Sequence, residues 1–166
     1  FNTALTGNYM VETNCRKVAG DYYYGLIFNG DHTAVSTQDM WNSYQFFIDL
    51  GSNRVYFAYY NNGSWMSIYS GTSTAINAGL NQWNKFKVIA DNGTNNFHLF
   101  INDEYLGTVA NTLYNQGEIG LLDFSITASE TEFDYVKISP VNKSAMDGIK
   151  IKRLDKQEPV ILGSKK

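Results

Sequence analysis

The 166-residue chain reads as an all-β sandwich, and three observations carry that reading. Apolar residues recur with period two over short runs, as strands with one buried face require. Gly, Asn, Ser and Thr break those runs at close intervals, which suits many short strands joined by tight turns. Aromatics make up 15% of the chain, with 12 Tyr, 10 Phe and 3 Trp, while charged residues are only 17%. That balance fits half-buried pleated surfaces and excludes a disordered chain. The length suits one domain with a sizeable core.

The elements follow in order. Residues 1–7 are a short lead-in with part of an edge strand. Residues 9–18 form a strand with Tyr9, Val11, Thr13 and Cys15 on one face. Residues 22–29 (YYYGLIFN) are almost continuously apolar, which predicts a central strand covered on both faces. Gly25 inside it marks a close approach by a neighbouring backbone or ligand. Residues 30–43 are the longest polar loop of the first half. A meander follows over residues 44–50, 54–60 and 64–70, with Val55, Phe57 and Tyr59 as its buried row and Tyr56 and Tyr60 opposite.

The clearest element is the hairpin of residues 82–103. Phe86, Val88 and Ala90 alternate with Lys85, Lys87 and Ile89, and Phe97, Leu99 and Ile101 alternate with His98, Phe100 and Asn102. Asn92-Gly93 between them is a turn signal, because both residue types tolerate positive φ. Further strands are expected at residues 104–109, 118–124 (Ile119 and Leu121 on one face) and 132–139. Pro140 closes the last of these. Residues 1–139 make the domain. Residues 140–166 make a C-terminal extension in which residues 148–154 alternate as an amphipathic edge strand. About eleven short strands without a repeat or a long amphipathic helix indicate two packed sheets.

Charge is uneven. Residues 1–139 hold 6 Lys+Arg against 13 Asp+Glu, a balance of −7, and residues 140–166 hold 7 against 3, a balance of +4. An acidic body argues against nucleic acid as a partner. No run approaches the ~20 apolar residues of a membrane span, so membrane insertion is not expected. The chain opens on Phe1 rather than Met, which leads us to expect a processed or excised product. The lone Cys15 is expected as a small core residue, with no basic partner near it in sequence.

The order of motifs adds a resemblance. Residues 25–31 (GLIFNGD) precede YQFFI at 44–48, YNNGSW at 60–65 and AIN at 75–77. WNKFKV at 83–88, FINDEYLG at 100–107, GEIGL at 117–121 and FDYVKI at 133–138 follow. Together they resemble the concanavalin A-like lectin/glucanase superfamily, in its laminin-G-like and carbohydrate-binding-module branch. The resemblance runs over residues 9–138. It implies a jelly-roll sandwich of two curved antiparallel sheets, usually extracytoplasmic (secreted or cell-surface) and often part of a larger protein. Many such domains bind glycans and some bind calcium. Two departures stand out: the long loop at 30–43, and the near-absence of a strand before Tyr9.

Candidate chemistry follows from residue types. A sugar stacks its C–H face on Tyr or Trp and needs short polar side chains for its hydroxyls. Tyr56, Tyr60 and Trp65, with Asn62 between them, form the first candidate set, and Trp41 beside Asp39 and Asn42 is a second. The competing expectation is that a β-sandwich core consumes these rings. Asp31 and Asp39, with Asp49, are the candidate calcium ligands, although no contiguous Asp-rich loop supplies the six to eight oxygens. Glu130, Glu132 and Asp134 have the spacing of paired catalytic carboxylates, but the resemblance puts them on the closing strand, outside a catalytic position. His32 and His98 lack zinc spacing and are expected at the surface or an edge. Asn62, Asn92 and Asn142 open Asn-x-Ser/Thr sequons, which matter only in a eukaryotic secretory pathway. The expected function is a non-catalytic carbohydrate-binding or adhesion module whose partner is a glycan or cell-surface polysaccharide, with no cofactor beyond a structural calcium. The alternatives are a glycoside hydrolase or lyase on the same fold, and a protein-interaction or structural domain without a glycan ligand.

Overall fold

A computed structural model describes residues 4–21, 23–31, 42–125 and 128–142, with Ile149 and Leu154. These residues form ten strands: β1 (Tyr9–Ala19), β2 (Tyr23–Asp31), β3 (Asn42–Asp49), β4 (Arg54–Asn61), β5 (Ser64–Thr72), β6 (Asn84–Asp91), β7 (Asn96–Ile101), β8 (Glu104–Ala110), β9 (Glu118–Phe124) and β10 (Glu130–Pro140). The front sheet runs β5-β4-β3-β2-β9 and the back sheet β10-β1-β6-β7-β8. Every ladder is antiparallel. The result is the jelly-roll sandwich of the concanavalin A-like fold.

The alternation in the sequence explains the core. β1 and β6 bury alternate residues, and Val11, Cys15, Phe86, Val88, Ala90, Phe97, Leu99 and Ile101 are closed to solvent. Facing them from the front sheet are Tyr24, Leu26, Phe28, Tyr44, Phe46, Ile48, Val55 and Phe57. Phe97 of the back sheet packs among three front-sheet rings, with centroids 5.5 Å from Phe28, 4.7 Å from Tyr44 and 5.5 Å from Phe57. Such ring pairs add about 0.5–1.5 kcal/mol each beyond burial of area. Gly25 lies where β2 passes closest to β3: a Cβ there would stand 2.3 Å from the Phe46 carbonyl oxygen and 2.8 Å from Phe47 Cα. The close approach is therefore to backbone.

Several expectations need correction. The β6–β7 turn has its left-handed residue at Asn95 (φ 55°), and Asn92 is instead buried, its amide donating to Gly7 O at 2.7 Å. A bulge in β10, where Cys15 pairs with Phe133 and Asn14 with Tyr135, reverses the alternation. Phe133, Val136 and Ile138 consequently all pack on the core, while Asp134 and Tyr135 are both exposed. Leu121 does not share the burial of Ile119; it is 39% exposed on the edge strand β9, and Leu122 is buried instead. The loop expected at 30–43 is shorter at both ends, because Asp31 and Asn42 pair in the β2–β3 ladder. Lys17 continues the buried row of β1, where its ammonium forms an ion pair with Asp123 and bonds Ser129 Oγ.

Tyr22, residues 32–41, most of residues 143–153 and residues 158–163 lie outside the described residues, and with them His32, Asp39 and Trp41. Of the expected edge strand at 148–154, Leu154 packs against the core and donates its backbone N–H to Thr108 O of β8 at 3.0 Å. No helix among the described residues is long and apolar enough to cross a membrane.

Candidate functional site

The outward face of the front sheet is not a solvated polar surface. It carries a second apolar cluster of Ile27, Phe47, Tyr56, Ala58 and Leu122, with Tyr23 and Trp65 packed against it. Five rings cross all five strands as one stripe. Phe124 on β9 stacks on Tyr23 of β2 (5.8 Å, 16°), and Tyr23 meets Phe47 of β3 (4.8 Å). Phe47 lies parallel to Tyr56 of β4 (5.2 Å, 9°), and Tyr56 supports Trp65 of β5 (6.3 Å, 56°). The middle of the stripe is closed: Phe47 is 1% and Tyr56 7% exposed. Its ends open, with Phe124 40% exposed and Trp65 half-buried.

Beneath Trp65 lies Gln45, which is buried. Trp65 Nε1 donates to Gln45 Oε1 at 3.2 Å. An indole N–H can only donate, so the amide oxygen must face it and the Gln45 nitrogen must face away. That nitrogen is buried and has no hydrogen-bond partner among the described residues. An unpaired buried donor of this kind costs about 1–3 kcal/mol. The tether fixes the Trp65 ring, and the β4–β5 turn fixes what surrounds it. Asn62 (φ 47°) and Gly63 (φ 82°) both take left-handed conformations, the type I′ pattern of a tight two-residue hairpin. Asn62 is exposed, and its backbone N–H is held by Asn42 Oδ1 at 2.8 Å.

Of the candidate glycan-binding residues, Tyr56, Tyr60, Trp65 and Asn62 fall on β4, β5 and their turn, and Tyr60 pairs directly with Trp65. They differ in access. Trp65 and Asn62 reach solvent, whereas Tyr56, packed against the Trp65 ring, and Tyr60 (3% exposed) are buried. Trp41 and Asp39 fall outside the described residues. Sequence reasoning missed Gln45 and Phe47, although the run YQFFI held a signal: a lone amide between two apolar rows.

Of the candidate calcium ligands Asp39 lies outside the described residues, and Asp49 does not join Asp31. Asp31 pairs with Asn42 at one end of the β2–β3 ladder and Asp49 pairs with Tyr23 at the other. At ~3.3 Å per residue the two are roughly 23 Å apart along β3. Asp49 instead closes its own turn, accepting from Gly51 N (3.0 Å) and Ser52 Oγ (2.7 Å). No group of three or more metal-binding side chains occurs among the described residues.

The carboxylates of β10 lie on an edge of the back sheet, away from the aromatic stripe. Glu132 is occupied by Arg16, whose Nε and Nη2 approach one oxygen at 2.7 and 2.6 Å. Outward positions of β2 to β5 between Tyr23 and Thr72 offer one carboxylate among the described residues, Asp49. Cys15 is buried, and burial pushes its thiol pKa far up, which leaves it unreactive. His98 is not a surface residue; it is 5% exposed and bonds Thr108 Oγ1 at 2.7 Å through Nδ1. Burial holds its pKa below the ordinary value, which Asp91 partly offsets.

No protein-family model matches the chain, and no curated protein matches it. Solved structures do. A carbohydrate-binding module, CBM66 from Bacillus subtilis, is similar with a TM-score of 0.68 at 17% identity, over 82% of this chain and 76% of that one. Sheep galectin-11, in complex with glycerol, is similar with a TM-score of 0.59 at 15% identity, over 84% and 95%. Galectin LEC-6 of Caenorhabditis elegans has a TM-score of 0.57 at 7% identity, over 83% and 90%. At these identities the likeness concerns the fold.

Proposed function

We propose that this domain is a non-catalytic, extracytoplasmic glycan-binding module that takes its ligand at the Trp65 end of the front-sheet stripe. The observation that carries the reading is the Trp65 ring, tethered by Gln45, propped by Tyr56 and bordered by exposed Asn62 and Ser64. A ring held this way loses little freedom when a sugar stacks on it. Asn62 offers both an amide donor and an acceptor to sugar hydroxyls. Tyr56 acts as the floor that positions the platform. The likeness to a carbohydrate-binding module and to galectins supports the class of ligand. The scarcity of carboxylates on this face supports binding without hydrolysis.

The burial of Tyr56 and Tyr60 favours a second reading, a structural domain with no glycan ligand. A broad glycan array separates the two. Under the first reading wild-type protein gives a signal that Trp65→Ala removes while its circular dichroism stays wild-type. A silent wild-type protein supports the second.

A further inference from the structure

The geometry points to a second ligand site, separate from the Trp65 platform: a hollow at the other end of the front sheet that takes an amino-sugar residue through Glu104. The hollow encloses about 470 Å³ and is lined by Ser52, Asn53, Tyr69, Thr72, Ser73, Thr74, Glu104 and Leu106. That volume is within the ~300–1,000 Å³ of small-ligand sites. It lies roughly 23 Å from Trp65, since seven residues of β5 separate Trp65 from Thr72 at ~3.3 Å each.

Its walls are fixed. Ser73 and Thr74 open the linker between β5 and β6, which is anchored by a fully bonded amide network. Asn102 Nδ2 donates to Ala75 O (2.6 Å) and to Asn84 Oδ1 (2.9 Å), and Asn84 Nδ2 donates to Asn77 O (2.9 Å). Glu104 follows the two-residue turn Asn102-Asp103, both left-handed (φ 49° and 66°), so its starting point is set by a rigid hairpin. The tyrosine folds back over its own strand, so that a Cβ on Gly71 would stand 2.1 Å from Tyr69 Oη.

The polar groups of this wall are largely uncommitted. Among the described residues Tyr69 Oη, Thr72 Oγ1, Thr74 Oγ1 and the Asn53 amide make no hydrogen bond, and Glu104 makes one long contact, from Ser73 Oγ at 3.4 Å. Glu104 has no basic partner among the described residues, because the adjacent Lys85 and Lys87 are both engaged by Asp103. It is the one charged group lining the hollow among the described residues. Several hydroxyls and an aromatic edge match a saccharide, and one unneutralised carboxylate selects a saccharide carrying an ammonium over a neutral or acidic one. A metal ion is a poor match, since a single carboxylate leaves most of its oxygen ligands to be found.

The test is calorimetric titration of the intact chain with a glucosamine tetramer, its N-acetylated counterpart and a neutral glucose tetramer. The glucosamine tetramer should bind, and the two neutral ones should bind at least about tenfold more weakly. Glu104→Gln should lower glucosamine affinity about tenfold, as loss of a charge-assisted contact does. Tyr69→Phe, which removes only the hydroxyl, should lower it a few-fold. The same order of affinities should hold in a Trp65→Ala background, in which the front-sheet platform is removed and only the hollow is read. No binding of the glucosamine tetramer, equal binding of its N-acetylated form, or an unaffected Glu104→Gln variant would each overturn the proposal. Failure of the platform reading looks different: Trp65→Ala would then alter no glycan at all.

Discussion

The outward faces of the two sheets are built on the same alternating backbone and carry opposite chemistry. On the back sheet the outward row carries most of the charge, with only His98 and Thr108 buried at its β7–β8 end. Lys85 and Lys87 converge on Asp103 at 2.5 and 3.3 Å, Lys87 lies 4.6 Å over Phe100, Arg16 lies 4.8 Å over Trp83, and Tyr135 Oη donates to Glu12 at 2.7 Å. On the front sheet the corresponding row is the five-ring stripe, whose centre is as closed as the core. A back-sheet residue contributes mainly solubility and small pairwise terms, whereas a front-sheet residue contributes packing. Recognition chemistry is therefore expected where the apolar stripe opens to water, at Trp65.

The largest effect should come from Gly25→Val. The new side chain would meet backbone of β3 on both sides of the Phe46–Phe47 peptide, which cannot give without parting two strands. We expect a loss of about 4 kcal/mol or more, seen as failure to fold or a collapse of the urea midpoint. Next, Phe47→Ala should cost about 3–5 kcal/mol in chemical denaturation even though Phe47 faces outward, because it leaves a cavity between Tyr23 and Tyr56. A cost below about 1 kcal/mol would mean that the stripe is not packed.

Lys17→Met sits between the extremes. It removes a fully buried ammonium and leaves Asp123, which can rehydrate, so the expected loss is about 1–3 kcal/mol at neutral pH. The sign of the pH dependence follows from Asp123. Burial alone would raise its pKa, but the bonds from Lys17 and Ser129 outweigh that and hold it below the ordinary value. A carboxylate depressed in the folded state adds stability above about pH 4, its unfolded value, and loses it as pH falls through the lower folded value. Stability of the wild-type chain measured from pH 6 down to pH 2 should fall over that window, and the Lys17→Met curve should be flatter there. The smallest effect belongs to the back face. Asp103→Asn breaks two ion pairs at a mostly exposed site and should stay within about 0.5–1 kcal/mol of wild type.

This contrast also explains what the sequence could disclose. The hairpin now split into β6 and β7 was legible because Lys85 and Lys87 mark one face and Phe86, Val88 and Ala90 the other. The runs YYYGLIFN and RVYFAYY mark neither, since both faces of the central front-sheet strands are apolar. The orientation of Tyr56 could be inferred, but its burial depends on rings from β2, β3 and β5. The faces of β10 could not be read for another reason: a one-residue bulge at position 134 reverses every later side chain of the strand, and nothing local signals it. Gln45 was legible as an anomaly but not as the tether of Trp65, twenty residues away.

The most direct test of the glycan-binding account is a nitrogen–proton correlation spectrum recorded while a panel of neutral oligosaccharides is titrated into wild-type protein and into Trp65→Ala. The account predicts that the Trp65 indole N–H and the Gln45 side-chain amide move first. It also predicts that Trp65→Ala loses binding at least about tenfold with the rest of its spectrum intact. Undiminished binding by Trp65→Ala, or perturbations confined to the Lys85–Phe100 face, would contradict it.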